Sequence, residues 1–490
     1  MSRVFRSSDD EGLPGSEGAP GFVTTPEEAL ALLRGCDGPV ILDLDETLYL
    51  RNSTEDFIDT ARPRLPAFAL LRMIELARPW RWTGGPVTRD SWRICGILLL
   101  FPWTRLLWRR RVRALAADHA NAALAAAARD RRVTIVTSGF RPAVAPLVAA
   151  LGMADRELVA VRSFAPRDRR DGKLALALRA LGELRVRQSL VITDSADDLE
   201  LLAKARRGAL TVWPGACFRP AFADVYYPGR YLSTVKRPGS GYIRRSILQD
   251  DLLIWVLCTV SLAPLPALHL AGIGALLVSF WAVYEQGYVD NDLVGAKHEH
   301  DPQLSPAFRT SELARHRAAP WVWAVVTGLA GVGAVTAFGP AFPGAAAIWA
   351  AVLAAVYLCF LGFNRLDKTT RVWPFAALQL ARGGAFAALL PVAPITAAAV
   401  GAYVVEKWVP YFVYRTGLGA RRGIGDTEAW ALPLNTIRLL FFVLLAVCLG
   451  MTTGLRALAD WPTAALFGLY AFKARRELKR IVAGAARIDR

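Results

Sequence analysis

The chain has 490 residues, of which 54% are hydrophobic, and its formal net charge is +17 at pH 7. A basic chain can bind nucleic acid, but here the basic residues gather beside long apolar runs, where they set membrane topology and attract anionic lipid. We therefore predict an integral membrane protein with no nucleic-acid partner. The six cysteines include no CxxC pair, which argues against a disulfide framework and a zinc site.

The composition changes near Asp251. Arginine-rich, charge-dense sequence precedes this residue, and apolar runs of membrane-spanning length follow it. We predict a disordered tail at 1–23, an α/β domain at 24–235, a basic linker at 236–250 and a transmembrane domain at 251–480. The tail is polar, rich in Gly, Ser and Pro, and lacks an apolar core, so it is not predicted to be a signal peptide.

The α/β domain begins with a helix, because Thr24 or Thr25 is a cap and Pro26 favours the first turn of a helix that runs to about Arg34. Strand and helix patterns then alternate, which is typical of a parallel, Rossmann-like sheet with helices on both faces. The predicted strands are 40–42, 133–137, 158–162 and 189–193, and the predicted helices are 112–130, 141–151 and 173–184. Ligands of such sheets bind at the carboxyl ends of the strands.

Polar residues with uses in phosphoryl transfer follow these strands. They are Asp43, Asp45, Thr137, Ser138, Lys173, Asp194 and Asp198. One carboxylate can attack phosphorus, a second carboxyl group two residues later can protonate the leaving oxygen, and further carboxylates can hold Mg²⁺. Hydroxyl and ammonium groups can neutralise the phosphoryl oxygens. The sequence therefore predicts a phosphatase site at this edge of the sheet.

These motifs, DLDET, TS, Lys173 and DSADD in chain order, resemble the four motifs of the haloacid dehalogenase (HAD) superfamily of phosphatases. The resemblance implies that Asp43 is the nucleophile and that Asp45 is the general acid and base. It further implies phosphate contacts from Thr137, Ser138 and Lys173, and a Mg²⁺ cofactor on Asp43, Asp194 and Asp198. Glu46 and Thr193 stand where many relatives have glycine.

An insertion at about residues 50 to 111 separates the first two motifs. Its apolar runs are shorter than the about 20 residues that cross a bilayer, and arginines and five tryptophans surround them. The tryptophans are Trp80, Trp82, Trp92, Trp103 and Trp108. Because Trp and Arg favour the headgroup layer, we predict a membrane-interfacial helical cap. The alternative is an ordinary hydrophobic cap core.

Eight apolar segments can be drawn in the membrane half. They are 252–268, 270–288, 320–338, 344–363, 373–390, 392–409, 434–453 and 457–472. The basic residues concentrate in alternate connections, so the basic loops fall on one side of the membrane. We therefore predict an all-α transmembrane bundle of about eight helices, of the bacterial inner-membrane type, with the phosphatase domain and both termini in the cytoplasm.

The stretch from Glu285 to Arg309 contains a cluster of acidic residues on the predicted cytoplasmic face, where we expect a polar loop to follow the second span. Its candidate site residues are Glu285, Asn291, Asp292, Glu299 and Asp301. The following cytoplasmic connection and the fifth span add Asn364, Asp367, Arg371 and Arg382. Carboxylates that hold Mg²⁺ and arginines that contact phosphate oxygens suit a magnesium-bridged (di)phosphate.

This part of the chain resembles the UbiA superfamily of intramembrane prenyltransferases, in which an NDxxDxxxD-type motif follows the second span. Asn291 and Asp292 match the opening of that motif, Gly295 stands at its next aspartate position, and Glu299 or Asp301 supplies the downstream acid. The resemblance implies a polyprenyl phosphate or diphosphate lipid as a substrate. HAD domains fused ahead of UbiA-like domains form a recognisable bacterial architecture.

Together the two resemblances imply a bifunctional membrane enzyme of polyprenyl-phosphate metabolism, with a phosphorylated small-molecule co-substrate. One version is phosphoribosyl transfer from phosphoribosyl diphosphate to polyprenyl phosphate, after which the phosphatase removes the sugar phosphate. Two alternatives stay open. One is prenyl transfer to an aromatic or other small acceptor with an auxiliary HAD domain, and the other is a non-catalytic membrane module that tethers a phosphatase.

Overall fold

The computed structural model of the protein describes residues 21–163, 165–299, 302–315, 317–367, 369–416 and 433–488. The chain divides into two compact units, Met1–Val225 and Tyr226–Arg490, which we call the α/β unit and the helical unit. Most of the predicted disordered tail, residues 1–20, lies outside the described residues.

Parallel strands form the sheet of the α/β unit, as predicted. They are β1 (Val40–Leu42), β2 (Val133–Phe140), β3 (Glu157–Val161), β4 (Leu190–Thr193) and β5 (Arg207–Leu210), in the spatial order β3-β2-β1-β4-β5. The sequence pattern does not reveal β5, because an arginine and a glycine interrupt the apolar run that marks a buried strand.

The central strands are short and apolar because helices cover both faces of a parallel sheet. All three residues of β1 are buried. Leu42, the last of them, is level with Ile135 of β2 and Ile192 of β4. The chain therefore leaves β1 and β4 at the same edge of the sheet, and the predicted aspartates follow directly from both.

Helices accompany the sheet. They are α1 (Pro26–Arg34), α2 (Ser53–Asp59), α3 (Arg64–Ala77), α4 (Arg89–Leu100), α5 (Thr104–His119), α6 (Ala122–Ala128), α7 (Arg141–Ala150), α8 (Pro166–Leu181), α9 (Glu183–Gln188) and α10 (Leu199–Lys204). The predicted helix at 112–130 is in fact two helices, α5 and α6, because Asn121 caps α6 by accepting a hydrogen bond from Leu124 N at 3.2 Å. The predicted helix at 173–184 corresponds to the second part of α8, which follows a kink at Gly172 with a φ of 84° and ends at Leu181.

The insertion between β1 and β2 is helical. Helix α2 is buried along its whole length. Helices α3 and α4 pack closely at Gly96, where a Cβ would lie 2.9 Å from Ile74 Cδ1. Trp108 is fully buried in the hydrophobic core, whereas Trp82 and Trp103 are exposed. The tryptophans are thus divided between the interior and the surface of the cap instead of forming one belt.

The helical unit contains α11 (Leu253–Thr259), α12 (Pro266–His298), α13 (Pro306–Thr310), α14 (Ala319–Val335), α15 (Phe342–Arg365), α16 (Val372–Gly384), α17 (Thr396–Thr416), α18 (Leu434–Thr453) and α19 (Trp461–Ile488). Within the described ranges, three helices, α12, α15 and α18, are long and apolar enough to cross a membrane. Helix α14 is apolar but shorter. The bundle of eight spans stays a prediction.

The first predicted span, 252–268, is not one continuous helix. A π-helix, Ile243–Leu252, leads into α11, which has seven residues, and α12 begins at Pro266. A 3₁₀ turn, Val260–Leu262, follows α11, and Pro264 and Pro266 then stand in the turn; because neither has an N–H to donate, α11 cannot continue into α12. The predicted basic linker is therefore partly helical, and its last residue, Asp250, is buried.

The stretch that begins at Glu285 is also different from the prediction. It is not a polar loop, because α12 has 33 residues and continues to His298. Glu285, Asp290 and Asp292 are buried on this helix. Hydrogen-bonding partners inside the protein compensate these acids, which allows the helix to continue through them.

Glycines bring α12 and α14 together. A Cβ on Gly331 would lie 2.9 Å from the carbonyl oxygen of Gly272 and 2.9 Å from the backbone nitrogen of Leu276. Small residues of this kind allow close backbone approach between helices in membranes. Gly287 of α12 similarly lies directly against the ring of Phe360 in α15.

Candidate active site

An ammonium group lies between two carboxylates at the carboxyl edge of the sheet. Lys173 Nζ is 2.8 Å from Asp43 Oδ2 and 2.6 Å from Asp198 Oδ2. Thr193 Oγ1 is 3.1 Å from the same Asp43 oxygen and 2.6 Å from the same Asp198 oxygen. All four side chains are buried. They form a compact charged group that the sheet shields from water.

The backbone explains why these residues meet. Asp43 N donates to Ile192 O at 2.9 Å, so the chain after β1 stays beside β4 for one more residue. Asp198 ends a short 3₁₀ helix that Ser195 caps after β4. Gly172 adopts a positive φ that favours glycine, and this kink lets Lys173 start a new helical stretch of α8.

The charged side chains in this group shift each other's pKa values. Burial raises the pKa of the Asp43 carboxyl group, and the Lys173 ammonium opposes that shift. Burial alone would lower the pKa of Lys173, but the carboxylates of Asp198 and Asp43 raise it above its ordinary value. Lys173 is therefore a fixed positive charge beside an Asp43 oxygen.

Asp45 is half-buried two residues after Asp43. Its Oδ1 accepts a hydrogen bond from Ser53 N at 2.6 Å. Burial raises the pKa of Asp45 to about 7, although the contacts with Ser53 oppose the shift. A carboxyl group that titrates near neutrality can donate a proton in one step and accept a proton in another.

The surroundings of Asp194 do not fully compensate a negative charge on its carboxyl group. Its Oδ1 accepts a hydrogen bond from Thr47 Oγ1 at 3.2 Å. Burial, and then the negative charges of Asp43 and Glu46, raise the pKa of Asp194 to about 8. Glu46 has a φ of 57°, in the left-handed region that favours glycine. A residue with a side chain is thus held in a strained conformation beside the site.

The donor set fits a magnesium ion. Asp43 and Asp194 offer carboxylate oxygens, and Mg²⁺ is usually held by one or two carboxylates together with water. The raised pKa of Asp194 indicates that this corner of the site lacks positive charge. Asp198 is engaged with Lys173 and Thr193. Among the residues that the structure describes, no three His, Cys, Asp or Glu side chains are gathered as ligands, so a role for Asp198 as a third ligand stays a prediction.

Thr137 and Ser138 lie near the end of β2. Thr137 is buried, and its Oγ1 accepts a hydrogen bond from Gly139 N at 2.9 Å. Ser138 is half-buried, and its carbonyl oxygen accepts a hydrogen bond from Arg169 Nη1 at 2.7 Å. A Cβ on Gly139 would lie 3.2 Å from both Thr137 Oγ1 and Ser53 Oγ. The end of β2 is therefore next to the residue that holds Asp45.

Sequence reasoning missed three residues of this site: Ser53, Thr47 and the hydroxyl of Thr193. Thr193 directly precedes Asp194, so a polar residue at the end of a buried strand was an available signal. Ser53 belongs to the insertion, and no sequence pattern connects it with Asp45. Its contact depends on how α2 packs in the folded protein.

The second predicted site lies around the C-terminal part of α12. Asn291 Nδ2 donates to Asn364 Oδ1 at 2.9 Å, and Arg371 Nη1 donates to Glu299 Oε1 at 2.7 Å. Arg371 Nη2 also lies 3.4 Å from the carbonyl oxygen of Asn364. Four of the predicted residues therefore come together where α12 and α15 end.

Glu285 has a structural role in the helical unit. It is fully buried, and its carboxylate accepts hydrogen bonds from Tyr226 OH at 2.7 Å, Gly229 N at 2.8 Å and Leu232 N at 2.6 Å. These bonds fix the segment at the start of the unit against α12. Glu285 is therefore not a solvated acid of a loop.

The other predicted residues are in different surroundings. Arg382 Nε donates to Asp251 Oδ2 at 2.8 Å and its Nη1 donates to Tyr242 OH at 2.7 Å, so it pairs with an acid outside the predicted set. Asp367 is exposed and caps the turn that follows it. Asp301 lies outside the described residues.

Asp292→Ala is expected to destabilise the helical unit by about 2 kcal/mol or more, because the buried Tyr231 hydroxyl and the Lys236 ammonium lose their acceptor. The matched control is Asp367→Ala, which removes an exposed carboxylate that caps a turn and should cost only about 1 kcal/mol, because water can replace its hydrogen bonds. Thermal unfolding of the detergent-purified protein measures both. A melting temperature of Asp292→Ala equal to that of the parent protein would contradict this placement.

Comparison with known proteins bears on the α/β unit. The family model of haloacid dehalogenase-like hydrolases matches residues 40–203. This range includes β1 to β4 and every residue predicted for the phosphatase site.

No curated protein and no solved structure matches the chain. The family match ends before the helical unit, so the resemblance of that unit to the UbiA superfamily stays a prediction. Residues 40–203 therefore match a haloacid dehalogenase-like hydrolase domain, and the same chain continues into a unit with helices long and apolar enough to cross a membrane.

Proposed function

We propose that the α/β unit is a magnesium-dependent phosphohydrolase that acts on a phosphorylated substrate at a membrane. The observation that carries this proposal is the contact of Lys173 with both Asp43 and Asp198, with Asp45 and Asp194 close by, inside a hydrolase-family domain. A buried ammonium beside a carboxylate that can attack phosphorus suits the transfer of a phosphoryl group.

In the first half of the reaction, Asp43 attacks the phosphorus of a phosphomonoester. The bond between phosphorus and the ester oxygen breaks, and the phosphoryl group stays on the Asp43 carboxylate. Asp45, protonated near its pKa of about 7, donates its proton to the leaving oxygen. Lys173 neutralises a phosphoryl oxygen, and a Mg²⁺ ion held by Asp43 and Asp194 would supply further positive charge there.

In the second half, Asp45 accepts a proton from a water molecule, and that water attacks the phosphorus. The bond between phosphorus and the Asp43 oxygen breaks, inorganic phosphate leaves, and the Asp43 carboxylate is regenerated. Ser53 N keeps Asp45 in place through both halves by its hydrogen bond to Oδ1. Asp198 and Thr193 act through Lys173 and Asp43, so they are positioning residues.

We further propose that the helical unit is a UbiA-like transferase that acts on a polyprenyl (di)phosphate in the cytoplasmic leaflet. The cluster of Asn291, Asn364, Glu299 and Arg371 supports this, since it combines an acid and a cation at one end of α12. Phosphoribosyl transfer to polyprenyl phosphate is the version that explains both activities in one chain. The phosphatase then removes the phosphate of the transferred sugar.

A specific observation favours a second candidate, the membrane tether. Two acids of the predicted transferase site, Glu285 and Asp292, are occupied by hydrogen bonds that hold the protein together. A unit whose acids have such a role can anchor a phosphatase without catalysing a reaction itself. Prenyl transfer to an aromatic acceptor gains no comparable support, because Gly295 occupies an aspartate position of the expected motif.

One experiment separates these functions. The purified full chain is incubated with Mg²⁺, polyprenyl phosphate and phosphoribosyl diphosphate, and the lipids are analysed by mass spectrometry. The transferase proposal predicts that the parent protein forms a polyprenyl-phosphoryl sugar, in which the phosphate that links lipid and sugar is kept and the sugar's own phosphomonoester is removed. The variant Asp43→Asn should form the same lipid with that phosphomonoester still on the sugar. If no sugar lipid forms while a soluble phosphomonoester is hydrolysed, the transferase proposal is wrong and the tether is favoured.

A further inference from the structure

The helical insertion carries an unusual number of exposed apolar side chains. We call them the apolar cap surface: Met73, Leu76, Trp82, Leu99, Leu100, Trp103 and Leu106. Leu76, Trp82 and Leu99 have 83%, 81% and 75% of their surface exposed. Single exposed apolar residues are normal, but a group on one small subdomain marks a surface that binds something apolar.

These residues lie on elements that pack together. Ile74 and Leu70 of α3 face Gly96 of α4, which places the two helices side by side. Trp103, in the turn between α4 and α5, donates a hydrogen bond from Nε1 to Arg62 O at 2.6 Å, just before α3 begins. Leu99, Leu100 and Leu106 are therefore close to the start of α3. Leu76 lies at the other end of α3, and Trp82 lies in the 3₁₀ turn that follows it.

The surface is rimmed by positive charge. Residues 60–117 contain twelve arginines and two acidic residues. The two acids are compensated, because Glu75 pairs with Arg89 at 2.6 Å and Asp90 pairs with Arg93 at 2.9 Å. Arginines exposed on the same helices are Arg72, Arg105, Arg109, Arg110 and Arg113. An apolar surface with an arginine rim complements anionic lipid headgroups and the acyl chains beneath them.

We propose that the apolar cap surface inserts into the interfacial layer of an anionic lipid bilayer. The same chain contains helices that are long and apolar enough to span a membrane, so a bilayer is an available partner for this surface. Exposed Trp82 and Trp103 suit the headgroup level, where an indole ring has both apolar and polar neighbours. A cap docked in this way would bring the Asp43 site to lipid-linked phosphates. The activity test of this proposal therefore depends on the proposed phosphohydrolase function, whereas the test of docking does not.

Spin labels in the full chain test the docking directly. The native cysteines are replaced by alanine, and single labelled cysteines are introduced at Leu99, Leu106 and Leu184 in separate variants. Leu184, in α9, is 70% exposed and lies outside the cap, so it is the matched control. The variants are reconstituted in nanodiscs of phosphatidylcholine and phosphatidylglycerol. Collision rates with oxygen, which enriches in the bilayer, are compared with those of a water-soluble nickel chelate.

Labels at positions 99 and 106 are expected to collide with the nickel chelate about tenfold less often than the label at position 184 and more often with oxygen, as for groups within the acyl boundary. Equal nickel accessibility at positions 99 and 184 would overturn the proposal. Protection at position 99 accompanied by spin–spin broadening that disappears on dilution with unlabelled protein would also overturn it, because a second copy would then cover the surface.

An activity measurement complements the labels. The double variant Leu99→Ser/Leu106→Ser changes two exposed residues, so it should fold as the parent protein does. It is expected to hydrolyse a soluble phosphomonoester at the parental rate and a bilayer-embedded lipid phosphate about tenfold more slowly. Equal loss on both substrates would contradict the docking. Absence of hydrolysis by the parent protein would count against the proposed function alone, since the collision rates do not depend on catalysis.

Discussion

Asp43→Asn is expected to reduce phosphate release by at least about 1,000-fold, because the amide cannot attack phosphorus or hold the phosphoryl group covalently. The substitution also removes a negative charge from Lys173, which keeps its second carboxylate partner, Asp198. Asparagine has nearly the same shape as aspartate, and Asp198 and Thr193 still surround Lys173, so we expect the variant to fold. Steady-state release of phosphate from a soluble phosphomonoester in the presence of Mg²⁺ measures the effect.

The matched control is Asp37→Asn, which makes the same chemical change at a fully exposed position on the approach to β1. This variant should keep the parental rate. A parental rate in Asp43→Asn, with an unchanged melting temperature, would show that another group attacks the substrate. The assignment of Asp43 as the nucleophile would then be wrong.

Gly331→Ala is expected to destabilise the helical unit by about 1–3 kcal/mol, as overpacking in a tight core does. The added methyl group would lie 2.9 Å from backbone atoms of Gly272 and Leu276, and backbone atoms of a neighbouring helix cannot rotate away as a side chain can. The two helices must therefore separate along their contact. Unfolding of the detergent-purified protein, followed by circular dichroism, measures the change.

Gly274→Ala is the control for this prediction. It places the same methyl group on α12, two residues from Gly272, but nothing lies within 4 Å of the new atom. Because alanine is favoured over glycine in a helix by about 1 kcal/mol, this variant should be neutral or stabilised. If both variants unfold at the same temperature, close packing of α12 against α14 does not contribute as we describe.

The sequence was sufficient to predict the parallel sheet, because β1, β2 and β4 are apolar runs followed directly by polar residues. It was insufficient for β5, whose arginine and glycine hide the strand pattern, and for the break between α5 and α6, where a cap at Asn121 overrides helical periodicity. The bounds of the first predicted span, 252–268, were wrong for a similar local reason, since the helical stretch that begins at Ile243 ends at Leu262, before Pro264. Single residues such as caps, glycines and prolines therefore made the ends of helices and strands harder to predict than the fold class.

The two sites differ in what the sequence could reveal. Asp43, Lys173 and Asp198 occupy strand and helix ends that the topology of a parallel sheet must bring together, so their meeting followed from their order in the chain. Glu285 and Asp292 lie on one long helix, and their surroundings depend on tertiary packing that no local pattern encodes. Their partners come from a segment some fifty to sixty residues earlier in the chain, for example 53 residues for Glu285 and Leu232.

In the proposed mechanism, the Asp43 carboxylate carries the phosphoryl group during turnover. The most direct test is acid quenching of the full chain during turnover of a phosphomonoester labelled with radioactive phosphorus, followed by proteolysis and peptide sequencing. We predict an acid-stable, base-labile label on the peptide that contains Asp43, and none on that peptide in Asp43→Asn. Turnover of the labelled substrate with no label on the Asp43 peptide, under quenching that traps an acyl phosphate, would show that Asp43 does not carry the phosphoryl group.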